Sequence, residues 1–465
     1  MKSKYAFLKI LLPVSFLFVV GFVFIGYTMF HKKTYLYTDD HYVSIAQYLQ
    51  NSGDIAEAVC HYKKALEVNP RNSKACFALG GIEHSRKRYD MAIDYFKKVT
   101  SLKPNNSSYF LHLGFTQYNQ GCITDAIQSL EKAIRLNPAN FPAYKWLGFS
   151  YLMVGQLDKG YAVNDAVHKM KAAKGMRDNE WTGGDLQGKT VLVMDNIGVG
   201  DVFCFLRYFE ALKQKGARVV FGTRKYIVPI LSRCPYIDAF VQRYKEVPKF
   251  DTIISMDNMP SVAHKYFKDF KADGPYLRAE PALVKKWNQK LSSDRNFKIG
   301  ICWHSAMYKN AQTGKLQKNK RAMPLHYFYA LNKMNGVSLY SLQQVHGTEQ
   351  VDHMPLDFDI HTFDKTFDKE HGSFMDTAAV MKNLDLVITV DTSIAHLAGA
   401  LGVPVWVMLP YVPDWRWLLG RSDTDLYPTM RLFRQAKLDD WESAMQQIMS
   451  ELGILVQKKN KEEQA

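Results

Sequence analysis

The sequence lacks the spacings that would make cysteine or metal chemistry its theme. Its six cysteines, Cys60, Cys76, Cys122, Cys204, Cys234 and Cys302, are scattered and no C-x-x-C occurs. That excludes a disulfide framework and a zinc ribbon and points to reduced, buried thiols. No His/Cys/Glu cluster has metal-ligand spacing, so no metal site and no cofactor is expected. The nucleophile elbow G-x-S-x-G and the Walker A loop are also missing, which removes the serine hydrolases and P-loop NTPases. Acidic residues are in deficit, 45 Asp and Glu against 60 Lys and Arg, for a net charge of +15. Such an excess favours anionic partners: phosphates, acidic lipid headgroups or nucleic acid. With no zinc-finger spacing and no RNA-binding aromatic signature, nucleic acid is not expected. A hydrophobic content of 47% rules out global disorder, and 465 residues accommodate two or three domains with cores of their own.

The one long uncharged run is Ile10–Phe30, behind the basic N-terminus 1–9. As a helix it would span about 31 Å, the thickness of a bilayer's hydrocarbon core. It is too long for a signal-peptide core and has no small-x-small cleavage site after it, so an uncleaved transmembrane anchor is expected. Lys2, Lys4 and Lys9 precede it and Lys32 and Lys33 follow it, which leaves its orientation open.

Behind the anchor the sequence repeats. Pro70, Pro104 and Pro138 recur every 34 residues, as do Ala58, Ala92 and Ala126, then Leu79, Leu113 and Leu147, and Gly80, Gly114 and Gly148. Small residues at fixed places let paired helices approach, and the prolines end the second helix of each pair. In period and residue grammar the stretch 41–174 resembles tetratricopeptide repeats, three clear and a fourth without the terminal proline. The resemblance implies an all-α solenoid with a concave surface for a partner protein or acceptor. Most of its tyrosines, Tyr62, Tyr95 and Tyr118 among them, are expected to fill helix–helix cores.

After a polar, glycine-bearing linker (175–189) the pattern changes to alternating strands and helices. TVLVMD (190–195), RVVFG (218–222) and DTIISM (251–256) read as strands of one α/β lobe, with a single amphipathic helix over 202–214. FKIGICW (297–303) opens a second, so that lobes over 190–295 and 296–455 are expected, then a charged tail at 456–465. In the second lobe LDLVITVDTSIAHLAGALGVPVWVML (384–409) is a buried strand, a turn, a helix and another strand. Thr392 and Ser393 are good N-caps, and Gly402 and Pro404 end the helix. A helix starting at the carboxyl end of a parallel strand aims free N–H groups into the crevice, an arrangement that suits a diphosphate. The same pattern also describes an ordinary packed βαβ unit.

Asp391-Thr-Ser-Ile-Ala-His-Leu-Ala-Gly-Ala-Leu-Gly-Val-Pro404 and Pro410-Tyr-Val-Pro-Asp-Trp-Arg-Trp417 resemble the C-terminal half of bacterial heptosyltransferase-like (glycosyltransferase family 9-like) enzymes. More closely they resemble a group in which that domain follows tetratricopeptide repeats. The resemblance implies a GT-B pair of Rossmann-like domains, the first on the acceptor side and the second holding a nucleotide-sugar. It implies transfer with inversion and without metal to a glycan, lipid-linked or protein acceptor. Within Asn196-Ile-Gly-Val-Gly-Asp201 the resemblance makes Asp201 the general base, on a loop opened by Gly198 and Gly200; from the residues alone it is equally a helix cap. The family's E-Q before the first glycine is Asn196-Ile197 here. Lys318-Asn-Lys-Arg321 matches a basic segment whose Arg321, with Lys320, would meet the donor diphosphate; otherwise it is a solvated loop. Ala322 stands where the family has serine. Asp391, Thr392, Ser393 and His396 complete the donor side, although His396 reads as readily as a packed core residue. Asp357-Phe-Asp359 and Asp423-Thr-Asp425 are not framed by strand ends and are not read as metal sites. The repeats are expected to choose the acceptor and to stand apart from donor binding. The competing class is a non-enzymatic tetratricopeptide scaffold with a degenerate transferase-like domain.

Overall fold

The computed structural model describes residues 37–172, 179–243, 248–272, 274–305, 308–309, 316–317 and 320–464. The anchor expected at 10–30 lies outside these; among the described residues no helix is long and apolar enough to cross a membrane. The chain divides into two compact units, one ending at Tyr109 and one starting at Phe110.

The first unit holds helices α1 (Asp39–Ser52), α2 (Ile55–Val68), α3 (Ser73–Ser85) and α4 (Tyr89–Leu102). Each of the first three starts where a polar side chain can take a backbone N–H: Thr38 from His41, Asp54 from Glu57, Asn72 from Ala75. Val43, Ala46, Ala58, Tyr62 and Leu79 form the core between them. At Gly80 the small residue has a steric cause. A Cβ at Gly80 would lie 2.8 Å from the ring of Phe96 on α4, so only glycine allows this crossing.

The second unit contains α5 (Ser107–Gln120) from Phe110 onward, α6 (Ile123–Leu136), α7 (Phe141–Met153) and α8 (Leu157–Ala172), then two α/β lobes. The first lobe contains β1 (Thr190–Met194), α9 (Val199–Phe205), α10 (Tyr208–Gln214), β2 (Arg218–Thr223), α11 (Val228–Leu231), β3 (Ala239–Gln242), β4 (Thr252–Ser255) and α12 (Met259–Tyr266). Its four strands are all parallel in the order β3-β2-β1-β4. The second lobe contains α13 (Pro281–Leu291), β5 (Phe297–Cys302), the antiparallel pair β6 (Tyr308–Lys309) and β7 (Leu316–Gln317), and α14 (Tyr329–Asn332). It goes on through β8 (Val337–Ser341), α15 (Met375–Met381), β9 (Leu386–Val390), α16 (Ser393–Ala400), β10 (Val405–Leu409), β11 (Met430–Arg434) and α17 (Trp441–Gln464). Its main sheet is parallel, β11-β10-β9-β5-β8. β9 and β10 are buried at every position, as continuous apolar strands of a doubly covered sheet should be.

Four boundaries differ from the sequence expectation. Part of the linker is structural: Trp181 donates its N–H to the Ile253 carbonyl at 2.8 Å beside β4, and its buried ring stacks on Phe267. The first lobe ends before 281, because α13 packs on the second lobe, where Trp287 Nε1 donates to Asp376 at 2.8 Å. The helix expected at 202–214 is two helices, α9 and α10, joined at Leu206–Arg207. Arg207 turns inward there, donating to the Cys204 carbonyl at 2.9 Å and the Leu426 carbonyl at 2.5 Å. The charged tail is helical to Gln464, held by buried Val456 and by Lys459, which pairs with Asp385 at 2.8 Å. One apolar core runs through both lobes, from Val191 and Phe203 to Val405, Trp417 and Tyr427, and a second, with Ile299, Trp303, Trp406 and Trp441, belongs to the second lobe.

Candidate functional site

The site starts at the end of β1. Asp195 is wholly buried, and Arg224 at the end of β2 grips it with both arms of the guanidinium, Nε to Oδ2 at 2.8 Å and Nη2 to Oδ1 at 2.6 Å. Thr223 donates a third bond to Asp195 at 2.9 Å, and the Ile197 N–H a fourth at 3.3 Å. Arg224 also donates to the Ile197 carbonyl. The loop 195–198 is thereby fixed at both backbone and side chain. Asn196, at the departure from the family pattern, accepts the N–H of Asp257 at 3.1 Å.

Gly198 caps α9, and Asp201 lies in its first turn, where a carboxylate is favoured by the helix dipole. The cap residue is a glycine, so no side-chain cap bond is made from that position. Asp201 Oδ1 forms an ion pair with Arg416 Nη2 at 2.6 Å. Arg416 spans two acids, since its other arm reaches Asp414 at 2.6 Å. Burial pushes the Asp414 carboxyl up, but Arg416 outweighs it and holds the group below the usual range. Arg416 also lies over the rings of Phe205 and Trp415.

Gly200 sets the distance between the lobes. A Cβ there would come 3.1 Å from His396 Cδ2 and 3.3 Å from Ser393 Cα, so α9 packs directly on the start of α16. Thr392 caps α16 by accepting the Ile394 N–H at 3.2 Å. His396 is 4% exposed, bonded through Nδ1 to the Tyr427 hydroxyl at 3.0 Å and stacked on Trp417. Burial, reinforced by the charge of Arg416, pushes it down to about 3, so its imidazole is neutral at pH 7. Behind it Asp391, 2% exposed, accepts from Arg321 at 3.2 Å. Lys320 reaches solvent, yet it sits deep enough in the cleft that desolvation draws its pKa down.

The residues expected to act together fall into two groups. Asp201, Lys320 and Arg321 line one cavity of ≈ 1180 Å³, together with Asp414 and Arg416. Gly198, Gly200, Asp391, Thr392, Ser393 and His396 stand behind that wall and do not line it. The opposite wall is made by α7 and α8 of the repeats, with Tyr144, Trp146, Phe149 and Tyr161. The repeats and the basic segment thus share a cavity, where the sequence reading had kept them apart. Both D-x-D tripeptides are engaged at the surface, Asp357 with Lys333 and Tyr329, and Asp423 and Asp425 with Arg421. Sequence reasoning missed the Asp195–Arg224 fork and the Arg416 bridge. The second had a signal in the i, i+2 spacing of Asp414 and Arg416. The first had none, since its partners lie on different strands.

Comparison with known proteins identifies the helical part by class. Residues 43–107, 107–140 and 129–161 match the tetratricopeptide repeat family. The N-terminal part of the chain therefore consists of tetratricopeptide repeats, followed by a pair of parallel α/β lobes. Among particular proteins, Protein FlbA of Caulobacter vibrioides is 24% identical over 293 residues, 58% of this chain and 48% of FlbA. The chain spans about half the length of that relative. Among solved structures, a glycosyl transferase family 9 protein from Veillonella parvula covers 60% of this chain and 100% of its own at 13% identity, with a TM-score of 0.45. YrrB, described as a tetratricopeptide repeat protein with an unusual peptide-binding site, covers 30% of this chain and 78% of its own at 23% identity and a TM-score of 0.27.

Proposed function

We propose that the chain is a glycosyltransferase that moves a sugar from a nucleotide-sugar to a hydroxyl-bearing acceptor. The observation that supports this best is the shared cavity: a carboxylate, Asp201, and two cations, Lys320 and Arg321, face the same space. Arg416 occupies Oδ1 of Asp201 and fixes the carboxylate, which leaves Oδ2 to take the acceptor proton. The acceptor oxygen then bonds to the anomeric carbon as the bond from that carbon to the diphosphate breaks. Lys320 and Arg321 meet the charge that develops on the departing nucleoside diphosphate. Attack opposite the leaving group inverts the anomeric centre, and no step requires a metal ion. Asp391 orients Arg321 from behind, and the capped start of α16 with Thr392 and Ser393 supports the donor side.

An N-terminal anchor at 10–30 with the catalytic part on the cytoplasmic side completes the reading and rests on the sequence alone. A reporter fused after Ala465 that works only outside the cytoplasm would reverse the orientation. A non-enzymatic scaffold is favoured by one observation, the close packing of Gly200 on the start of α16, which leaves little of that helix start to a ligand. Calorimetric titration of nucleotide-sugars into the full chain separates the two. A transferase binds one of them, and Arg321→Ala weakens that binding by about 1.5–3 kcal/mol, the range for charge-assisted hydrogen bonds. Absence of heat with every donor favours the scaffold.

A further inference from the structure

A second cavity, of ≈ 540 Å³, shares no lining residue with the cleft. It lies at the far end of α16, beside Leu401, about 12 Å along that helix from its capped start. Its walls come from the segment 275–279 that leads from the first lobe into α13, from α13 itself and from the end of α15. Each wall brings one exposed cation: Arg278 from the crossing segment, Lys285 from α13 and Lys382 from the end of α15. Among the described residues none of the three is ion-paired, and no carboxylate lines the cavity. Cations at helix ends often serve exposed carbonyls. Here the last carbonyls of α16 are already met, since Leu397, Ala398, Gly399 and Ala400 accept from Leu401, Val403, Gly402 and Leu277. Lys285 sits in the middle of α13 and Arg278 on no helix, so a helix dipole accounts for Lys382 at most.

We infer that this cavity is a binding site for a small organic phosphate, separate from the cleft and independent of the transferase reading. Three cations border a space that holds no counter-charge, and a phosphate dianion takes charge-assisted bonds from such groups. Leu277, Val284 and Leu401 give the body of the ligand an apolar floor. The polar part of the wall is built before any ligand arrives. Asn288 donates to Asn383 at 3.0 Å, and Asn383 donates to the carbonyls of Val284 at 3.0 Å and Ala379 at 2.9 Å. The volume lies within the roughly 300–1,000 Å³ usual for a single small-molecule site. A soluble phosphate ester and the phosphate of a lipid headgroup present the same chemistry to these residues. A ligand bonded to both Arg278 and Lys382 ties the crossing segment to the second lobe.

Calorimetric titration of the full chain tests the site with two organic phosphates. Phenyl phosphate represents the soluble ester, and dihexanoyl phosphatidic acid below its micelle concentration represents the lipid headgroup; inorganic phosphate and phenol are the controls. At least one organic phosphate is expected to bind more tightly than both controls. Arg278→Ala with Lys382→Ala, which alters only exposed side chains, should weaken that binding about tenfold or more, as the loss of charge-assisted hydrogen bonds requires. Lys285→Ala, on a different element, should act in the same direction, and an unchanged melting temperature in each variant separates lost binding from lost folding. Arg321→Ala, in the cleft, should leave the affinity within about twofold. Binding of phenyl phosphate alone assigns the site to a soluble ester, and binding of phosphatidic acid alone assigns it to a lipid headgroup; either upholds the site. Three results overturn the inference: no binding of either organic phosphate, inorganic phosphate binding as tightly as the better of the two, or affinity lost in Arg321→Ala and kept in the double variant.

Discussion

Replacing Arg224 by Met leaves Asp195 as a carboxylate of 0% exposure without a counter-charge. The arginine contributes two charge-assisted bonds, at 2.8 and 2.6 Å, and its own side chain is 23% exposed. Removing one partner of a buried pair costs about 3–5 kcal/mol, because the other charge stays buried. The partial exposure of Arg224 and the surviving bonds from Thr223 and Ile197 place the cost near the lower end, about 3 kcal/mol. That is a large part of the roughly 5–15 kcal/mol by which a domain is stable. Asp195→Asn in the same chain removes the orphaned charge, so the double variant should recover about half of the loss. Urea unfolding of wild type, both single variants and the double variant forms a complete cycle. A cost under about 1 kcal/mol for Arg224→Met, or strict additivity in the cycle, would refute the idea that this fork holds the loop 195–198 that leads into the helix of Asp201.

Two further substitutions probe the junction of the lobes. Gly200→Ala gains about 1 kcal/mol of helix propensity but forces a methyl against the backbone of Ser393, an overpacking worth about 1–3 kcal/mol. A net destabilisation is therefore expected in urea, with Gly198→Ala milder because its Cβ meets only the end of one side chain, Asp201 Oδ2 at 3.1 Å, and no backbone; a Gly200→Ala protein more stable than wild type contradicts the close approach. For His396 the folded value of about 3 lies below the ordinary 6.5. The unfolded chain thus binds the proton first, so stability from this group is complete above pH 6.5 and falls as the pH drops toward 3, by up to about 1.4 kcal/mol per unit. His396→Phe should flatten that acid limb, and an unchanged slope in pH-dependent unfolding would show that His396 is not the group responsible.

Periodic features were the legible ones. The 34-residue repeat could be read because equivalent positions meet equivalent neighbours in successive repeats, as Gly80 meets Phe96 and Gly114 meets Leu130. The strands β9 and β10 were legible because full burial demands unbroken apolar runs. Lobe boundaries were not, because the bonds that place α13 on the second lobe, between Trp287 and Asp376 and between Asn383 and both Asn288 and Val284, join residues far apart in the sequence. The break at Arg207 escaped notice because an arginine on a helix pattern reads as solvent-facing, whereas here aromatic rings and carbonyls surround its charge. Asp201, Lys320 and Arg321 could be named from motifs, and they do face one cavity. Its far wall could not be foreseen, since nothing in a repeat pattern says which helices turn toward another domain.

Sugar transfer by Asp201→Asn tests the central claim most directly. The full chain is assayed with the donor that calorimetry selects, and donor affinity is measured beside turnover. Asparagine keeps the size of the side chain and loses the proton acceptor, so turnover should fall by about 10²–10⁴ while donor affinity stays within about twofold. Turnover near the wild-type rate in Asp201→Asn would contradict the account, because the one carboxylate assigned to the acceptor proton would then do no chemistry.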